Sequence, residues 1–151
     1  MPSRHEDWLR QAKRDLEHAR HSAENEEYEW TCFASQQAAE KAVKALYQKL
    51  GADAWGHSVS VLLSSLQLEI RPQNALIDKA KELDKHYIPP RYPNFHPTGA
   101  PLDYYTKPEA ERAISYATEI ISFCDTDCQH HPVRKNQAEA IPGSELITLP
   151  W

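Results

Sequence analysis

Apolar positions recur with a helical period through most of the chain. In "SRHEDWLRQAKRDLEHARHSAE", residues 3 to 24, Trp8, Ala12, Leu16, Ala19 and Ala23 follow at steps of four, four, three and four, one stripe of a 3.6-residue helix. Ser3 and Glu6 have the spacing of a capping box at its start. The next run, "YEWTCFASQQAAEKAVKALYQKLG", carries two stripes. Cys32, Ala39, Val43, Leu46 and Leu50 form a bulky one, and Ala34, Ala38, Ala42 and Ala45 a small one. Such a helix is enclosed by neighbours, and its alanine side permits close approach of another helix. Gly51 falls where a left-handed C-cap is wanted. A short helix is expected from Ser58, with Val59, Leu62, Leu63 and Leu66 inward. A fourth is opened by Pro72, with Leu76, Ala80, Leu83 and Tyr87 in step. The last begins at "TKPEAERA", with Thr106 and Glu109 as a capping box, Pro108 in the first turn, and a stripe of Ala110, Ile114, Ala117, Ile121 and Cys124.

No segment alternates with a period of two, so the expected fold is all-α. It is an up-and-down bundle of four main helices plus a short helix, spanning residues 3–128. Periodicity stops after Cys128. Residues 129–151, "QHHPVRKNQAEAIPGSELITLPW", read as an extended or disordered irregular C-terminal tail, or, through "ELITLPW", as a strap on the bundle or on a partner.

Composition narrows the function classes. At 151 residues a single domain is expected. The net charge is −5, with basic residues spread through the helices. There is no footprint for DNA, and nucleotide or RNA would bind only through a local pocket. Three cysteines make no disulfide framework, which fits a reducing, cytoplasmic location. No apolar run approaches about 18 residues, so no membrane span is expected, and no signal-peptide pattern opens the chain. Four glycines supply no phosphate-cradling loop, and no nucleophile elbow is present. Cys124, Cys128, His130 and His131 offer soft ligands, but their spacing matches no tight zinc knuckle. Neither a metal nor a cofactor is expected.

Three places carry candidate chemistry. "HYIPPRYPNFHPTGAP", residues 86 to 101, holds five of the eleven prolines and can be neither helix nor central strand. Within it Arg91 and His96 stand five apart. Arginine offers a planar charged fork for phosphate and histidine an acid or base near neutral pH, a pair able to cleave RNA through the ribose hydroxyl. The spacing equally suits a rigid loop packed on the bundle, with Arg91 on a helix carboxylate or on carbonyls. On the second helix Gln36, Gln37, Glu40, Lys41 and Lys44 form a polar stripe. It reads as a solvated face with a Glu40–Lys44 salt bridge, or as the lining of a groove. His57 precedes the short helix, as a local cap or facing a pocket.

Taken in order, "DWLRQAKRDLEHA", "EYEWTCFASQQAAEKAVKALYQKLG", "GHSVSVLL", "ELDKHYIPPRYPN" and "YYTKPEAERAISYATEII" resemble the HEPN domain family, named for its occurrence in higher eukaryotes and prokaryotes. The resemblance covers about residues 5 to 125 and includes the C-terminal domain of sacsin, a relative associated with nucleotide binding. It implies a helical bundle that dimerises, often encoded beside a small nucleotidyltransferase in toxin–antitoxin pairs. Many members are metal-independent ribonucleases with an R-x4-6-H motif, commonly with a polar residue after the arginine and the motif opening the last long helix. Here Tyr92 follows Arg91, and Pro93 and Pro97 put the pair in a loop. "RYP" resembles instead the branch in which this loop belongs to a nucleotide-binding or partner-facing groove. The resemblance therefore implies a nucleotide-binding or accessory module partnering a nucleotidyltransferase, with Arg91, Tyr92, Lys41, Lys44 and His57 on the ligand. The alternatives are a ribonuclease or toxin using Arg91 and His96, and a structural dimerisation domain. A homodimer is expected for a second reason, that the alanine face of the second helix exceeds what a short bundle covers.

Overall fold

The helical stripes become helices close to where the spacing assigns them. The computed structural model describes residues 3–130. It comprises α1 (His5–Glu24), α2 (Tyr28–Lys49), α3 (Val59–Ser64), α4 (Asn74–Asp84) and α5 (Lys107–His130), with no strand among the described residues. Two 3₁₀ turns, Pro93–Phe95 and Pro101–Asp103, punctuate the proline-rich loop. The expected tail beyond residue 130 lies outside the described residues, and α5 runs on to His130, two residues past the last position of the expected domain.

α2 is the central element and packs against each of the other four helices. Both its stripes are buried: Cys32, Ala39, Val43, Leu46 and Leu50 on the bulky side, and Ala34, Ala38, Ala42 and Ala45 on the small one. The alanine face is thus covered within one chain by its own neighbours, and the expectation that it needs a second copy loses that physical ground. Tyr47 is fully buried, and its hydroxyl donates to the Leu62 carbonyl at 2.6 Å, so the one polar atom of a large core ring also ties α3 to α2.

Some ends are local and others are not. α2 closes on Gly51 at φ +81°, with Gly51 N–H on the Gln48 carbonyl and Ala52 N–H on that of Tyr47, the paired bonds of a Schellman cap. Ser58 caps α3, accepting from Val61 N–H at 3.3 Å, and Thr106 Oγ1 accepts from Glu109 N–H at 3.4 Å to open α5. The Ser3–Glu6 box does not form. Helix α1 starts at His5 with Arg4 in the cap position, because the Ser3 hydroxyl donates to the Gln48 carbonyl at the far end of α2. α4 begins at Asn74 rather than at Pro72, and stops at Asp84, leaving Tyr87 outside the helix whose stripe it extends.

Asp84, the last residue of α4, holds the start of α3. Its carboxylate accepts from Val59 N–H (2.6 Å) and Ser60 N–H (3.3 Å) and from the Ser58 and Ser60 hydroxyls. Desolvation raises its pKa even against those four donors. Close by, His86 is 5% exposed, its Nδ1 has no hydrogen-bond partner, and its ring meets the Tyr105 ring at 5.8 Å. Burial pushes this imidazole down from 6.5 to about 4, with a smaller opposing influence from Glu82.

Two measurements check these assignments. Asp84→Ala strands buried donors at the α3 start and should lower unfolding free energy by about 2 kcal/mol in urea titrations. For His86, the unfolded chain takes a proton near pH 6.5 that the folded chain refuses until about pH 4. Its contribution is therefore complete above pH 6.5 and is lost progressively as pH falls through that window, on the order of 3 kcal/mol. His86→Leu should flatten the decline. The difference between the two proteins isolates the imidazole from Asp84, whose raised carboxyl has the opposite slope.

Candidate functional site

The polar stripe of α2 is organised around one carboxylate. Glu40 is only 5% exposed, yet Oε1 accepts from Gln36 Nε2 at 3.2 Å and lies 3.0 Å from His57 Nδ1, while Oε2 accepts from Lys44 Nζ at 3.1 Å. Gln36 Nε2 also donates to the His57 carbonyl at 2.9 Å. The loop before α3 is therefore fastened to α2 through both the ring and the backbone of His57. A carboxylate accepts only, so Nδ1 carries the hydrogen that meets it. The Glu40–Lys44 pair occurs as the spacing implied, but with Glu40 buried and Lys44 only partly open to solvent, side chains 6% and 13% exposed.

From His57 the contacts pass through aromatic rings to the proline-rich loop. The imidazole lies flat on Tyr87, centroids 4.2 Å apart and planes at 17°. Arg91 Cζ lies 4.7 Å from the centroid of the same ring, 4.3 Å from that of Phe33 and 5.4 Å from that of Tyr92. Arg91 Nε donates to the Tyr87 carbonyl at 2.8 Å, and among the described residues no carboxylate pairs with this guanidinium. Three rings and a carbonyl fix a side chain that would otherwise sample many rotamers, leaving a delocalised cation in a set pose.

His96 belongs to a different set of partners. Its Nε2 is 2.8 Å from the Pro89 carbonyl, and its ring stacks on Tyr104 at 4.5 Å and 17°, with Tyr105 edge-on at 6.3 Å. A carbonyl requires a donor, so Nε2 holds the hydrogen and is engaged. The loop around it is held by its own turns: Arg91 N–H on Ile88 O, His96 N–H on Pro93 O, Asp103 N–H on Ala100 O. Gly99 is fixed by crowding, since at φ +72° a Cβ there would come within 2.8 Å of the Asp103 carboxylate that accepts from Ala100 N–H.

Of the five expected ligand residues, the structure links Lys44, His57, Arg91 and Tyr92 through Glu40, Tyr87 and Phe33. Lys41 is drawn away toward α1, where Asp15 takes its ammonium. Phe33 and Tyr87 were not among the candidates. Phe33 falls between the two apolar stripes of α2, an aromatic beside polar positions, and that misfit was the available signal. The soft ligands at the end of α5 give no centre that the described residues reveal. Cys124 and Cys128 are buried free thiols on its inner face, desolvation lifting Cys124 well above its usual range and Cys128 to about 11, so neither is a ready thiolate. Among the described residues no group of three or more histidine, cysteine or acidic side chains is placed to hold a metal ion, and no helix is long and apolar enough to cross a membrane.

The family model of the HEPN domain matches residues 5–127. The chain belongs to the HEPN domain family. It is 31% identical over 123 residues to "Putative toxin MJ1304" of Methanocaldococcus jannaschii, covering 76% of this chain and 81% of that protein. Its fold is similar to that of TT1696 from Thermus thermophilus, with 44% identity and a TM-score of 0.81 over 83% of this chain and 99% of the other. It is also similar to ST0689, an archaeal HEPN homologue, at 42% identity and a TM-score of 0.72 over 84% and 99%. A HEPN domain protein from Thermotoga maritima is 46% identical, with a TM-score of 0.65 over 80% and 95%.

The network gives a direct stability test. Glu40→Ala takes the counter-charge from the partly buried Lys44 and the acceptor from Gln36 and His57, and should cost about 2–3 kcal/mol in urea unfolding. Glu40→Gln, which keeps one acceptor and the side-chain volume, should cost less.

Proposed function

We propose that this chain is a nucleotide-binding accessory module that works in the cytoplasm beside a small nucleotidyltransferase, and that Arg91 is its phosphate anchor. The observation that carries the reading is the caged guanidinium: held by Phe33, Tyr87, Tyr92 and the Tyr87 carbonyl, and paired with no described carboxylate. A cation positioned in advance loses little side-chain entropy on meeting an anion. His57 and Lys44 extend the polar edge of the same network. A homodimer accords with this reading and would rest on exposed apolar side chains away from that cation, such as Phe95 and Leu102, rather than on the covered alanine face.

The toxin name of the archaeal relative favours a second reading, a metal-independent ribonuclease using Arg91 and His96. Against it, His96 engages Pro89 through Nε2 and stacks on Tyr104, whereas Arg91 is held by Phe33, Tyr87 and Tyr92. Only a two-fold pairing of chains would converge one copy's arginine on the other's histidine.

Arg91→Ala should weaken binding of a nucleoside phosphate at least ten-fold in calorimetric titration, with the helical circular-dichroism signal unchanged. A large fall in melting temperature would mark the residue as structural instead. Incubated with RNA and EDTA, the pure protein should leave the RNA intact. Cleavage lowered about 100-fold by His96→Ala would promote the ribonuclease reading.

A further inference from the structure

Phe33 has a second neighbour besides Arg91. Between α1 and α2 lies a hollow of about 240 Å³ walled by Trp30 and Phe33 and rimmed by Asp15, His18, Gln37 and Lys41. We propose that this hollow is a nucleobase subsite, so that the ligand of the Arg91 face is a nucleoside 5′-phosphate, purine in preference to pyrimidine. The proposal rests on the reading of Arg91 as a phosphate anchor and adds the half of the ligand that arginine does not recognise.

Three observations carry it. The first is shape and surface. Trp30 meets Phe33 edge-on at 6.3 Å and 75°, yet remains 45% exposed. The hollow lies below the roughly 300–1,000 Å³ of drug-sized sites, room for one flat ring system. Stacking on aromatic walls is open to any base and grows with ring area, which ranks purines first. The second is contiguity. The Phe33 ring that walls the hollow also seats the Arg91 guanidinium, Cζ 4.3 Å from its centroid, so base and phosphate subsites share one side chain.

The third is the division of charge. Lys41, the cation of the hollow, is neutralised by Asp15, whose other oxygen accepts from Gln11. The hollow thus offers no net attraction to an anion and suits an uncharged ring, while the arginine next to it pairs with no described acid and suits a phosphate. Gln37 donates an amide N–H to Gln36 and keeps its carbonyl oxygen for a donor on the ligand, such as an exocyclic amine.

Calorimetric titration of the full chain with adenosine 5′-monophosphate, cytidine 5′-monophosphate, ribose 5-phosphate and inorganic phosphate tests the assignment. The adenosine compound should bind on the order of ten-fold tighter than ribose 5-phosphate, with the cytidine compound between. Trp30→Ala should remove that ten-fold advantage and leave ribose 5-phosphate binding unchanged, whereas Arg91→Ala should weaken every probe. In saturation-transfer NMR on the unaltered chain, the strongest signal should fall on the base protons. A base signal no stronger than the ribose signal, or adenosine 5′-monophosphate binding untouched by Trp30→Ala while Arg91→Ala still weakens it, overturns the subsite and leaves the phosphate anchor standing. If Arg91→Ala weakens nothing, the anchor itself falls. Should Trp30→Ala change only the mass seen by light scattering, the aromatic patch is a self-association face and the subsite is refuted.

Discussion

A carboxylate enclosed in the middle of the central helix imposes the demand that organises this molecule. Glu40 sits on α2, which every other helix covers, and a buried charge is tolerated only when donors surround it. Gln36 and Lys44 come from its own helix, but neighbouring turns do not complete the set. The remaining donor is His57, brought from the loop that precedes α3. Satisfying the charge thus positions that loop, and the imidazole so fixed becomes the shelf for Tyr87 and, through it, Arg91. Core electrostatics and the half-buried guanidinium are two ends of one chain of contacts.

Sharing of one group between two tasks recurs at the helix ends. Asp84 is the last residue of α4, and its carboxylate receives the first backbone donors of α3, so the end of one helix caps the start of another. His86, two residues on, is held neutral by burial, and its neighbour Tyr87 supplies both ring and carbonyl to Arg91. The polypeptide between Asp84 and Arg91 therefore carries fold stability and the candidate site together, and damage to the first propagates to the second.

Prolines keep the loop from becoming helix, and its short turns keep it from being loose. Pro93 and Pro101 each open a 3₁₀ turn, and Gly99 is the point at which a side chain would collide with Asp103. Such a loop favours recognition over proton transfer, because binding asks only for a guanidinium in a fixed pose. Acid–base chemistry asks for two side chains converging on one atom.

Helices, inward faces and several caps were legible in the amino-acid sequence because each depends on residues within a turn or two. The stripe from Cys32 to Leu50, Gly51 as C-cap, Ser58 as N-cap and the Thr106 start are all of this kind. Where a distant partner competes, local reading fails. Ser3 looks like a cap until Gln48, 45 residues away, takes its hydroxyl, and Tyr87 extends a stripe but lies past the helix, against His57 and Arg91. Period and spacing alone establish an all-α bundle, and residue chemistry singles out Arg91, His57 and Lys44 as candidates. Folding in three dimensions pairs Lys41 with Asp15 of α1, brings Phe33 and Tyr87 against Arg91, and holds Arg91 and His96 by different partners. Helical period is a property of neighbours along the chain, whereas stacking and ion pairing join side chains that folding alone brings within reach.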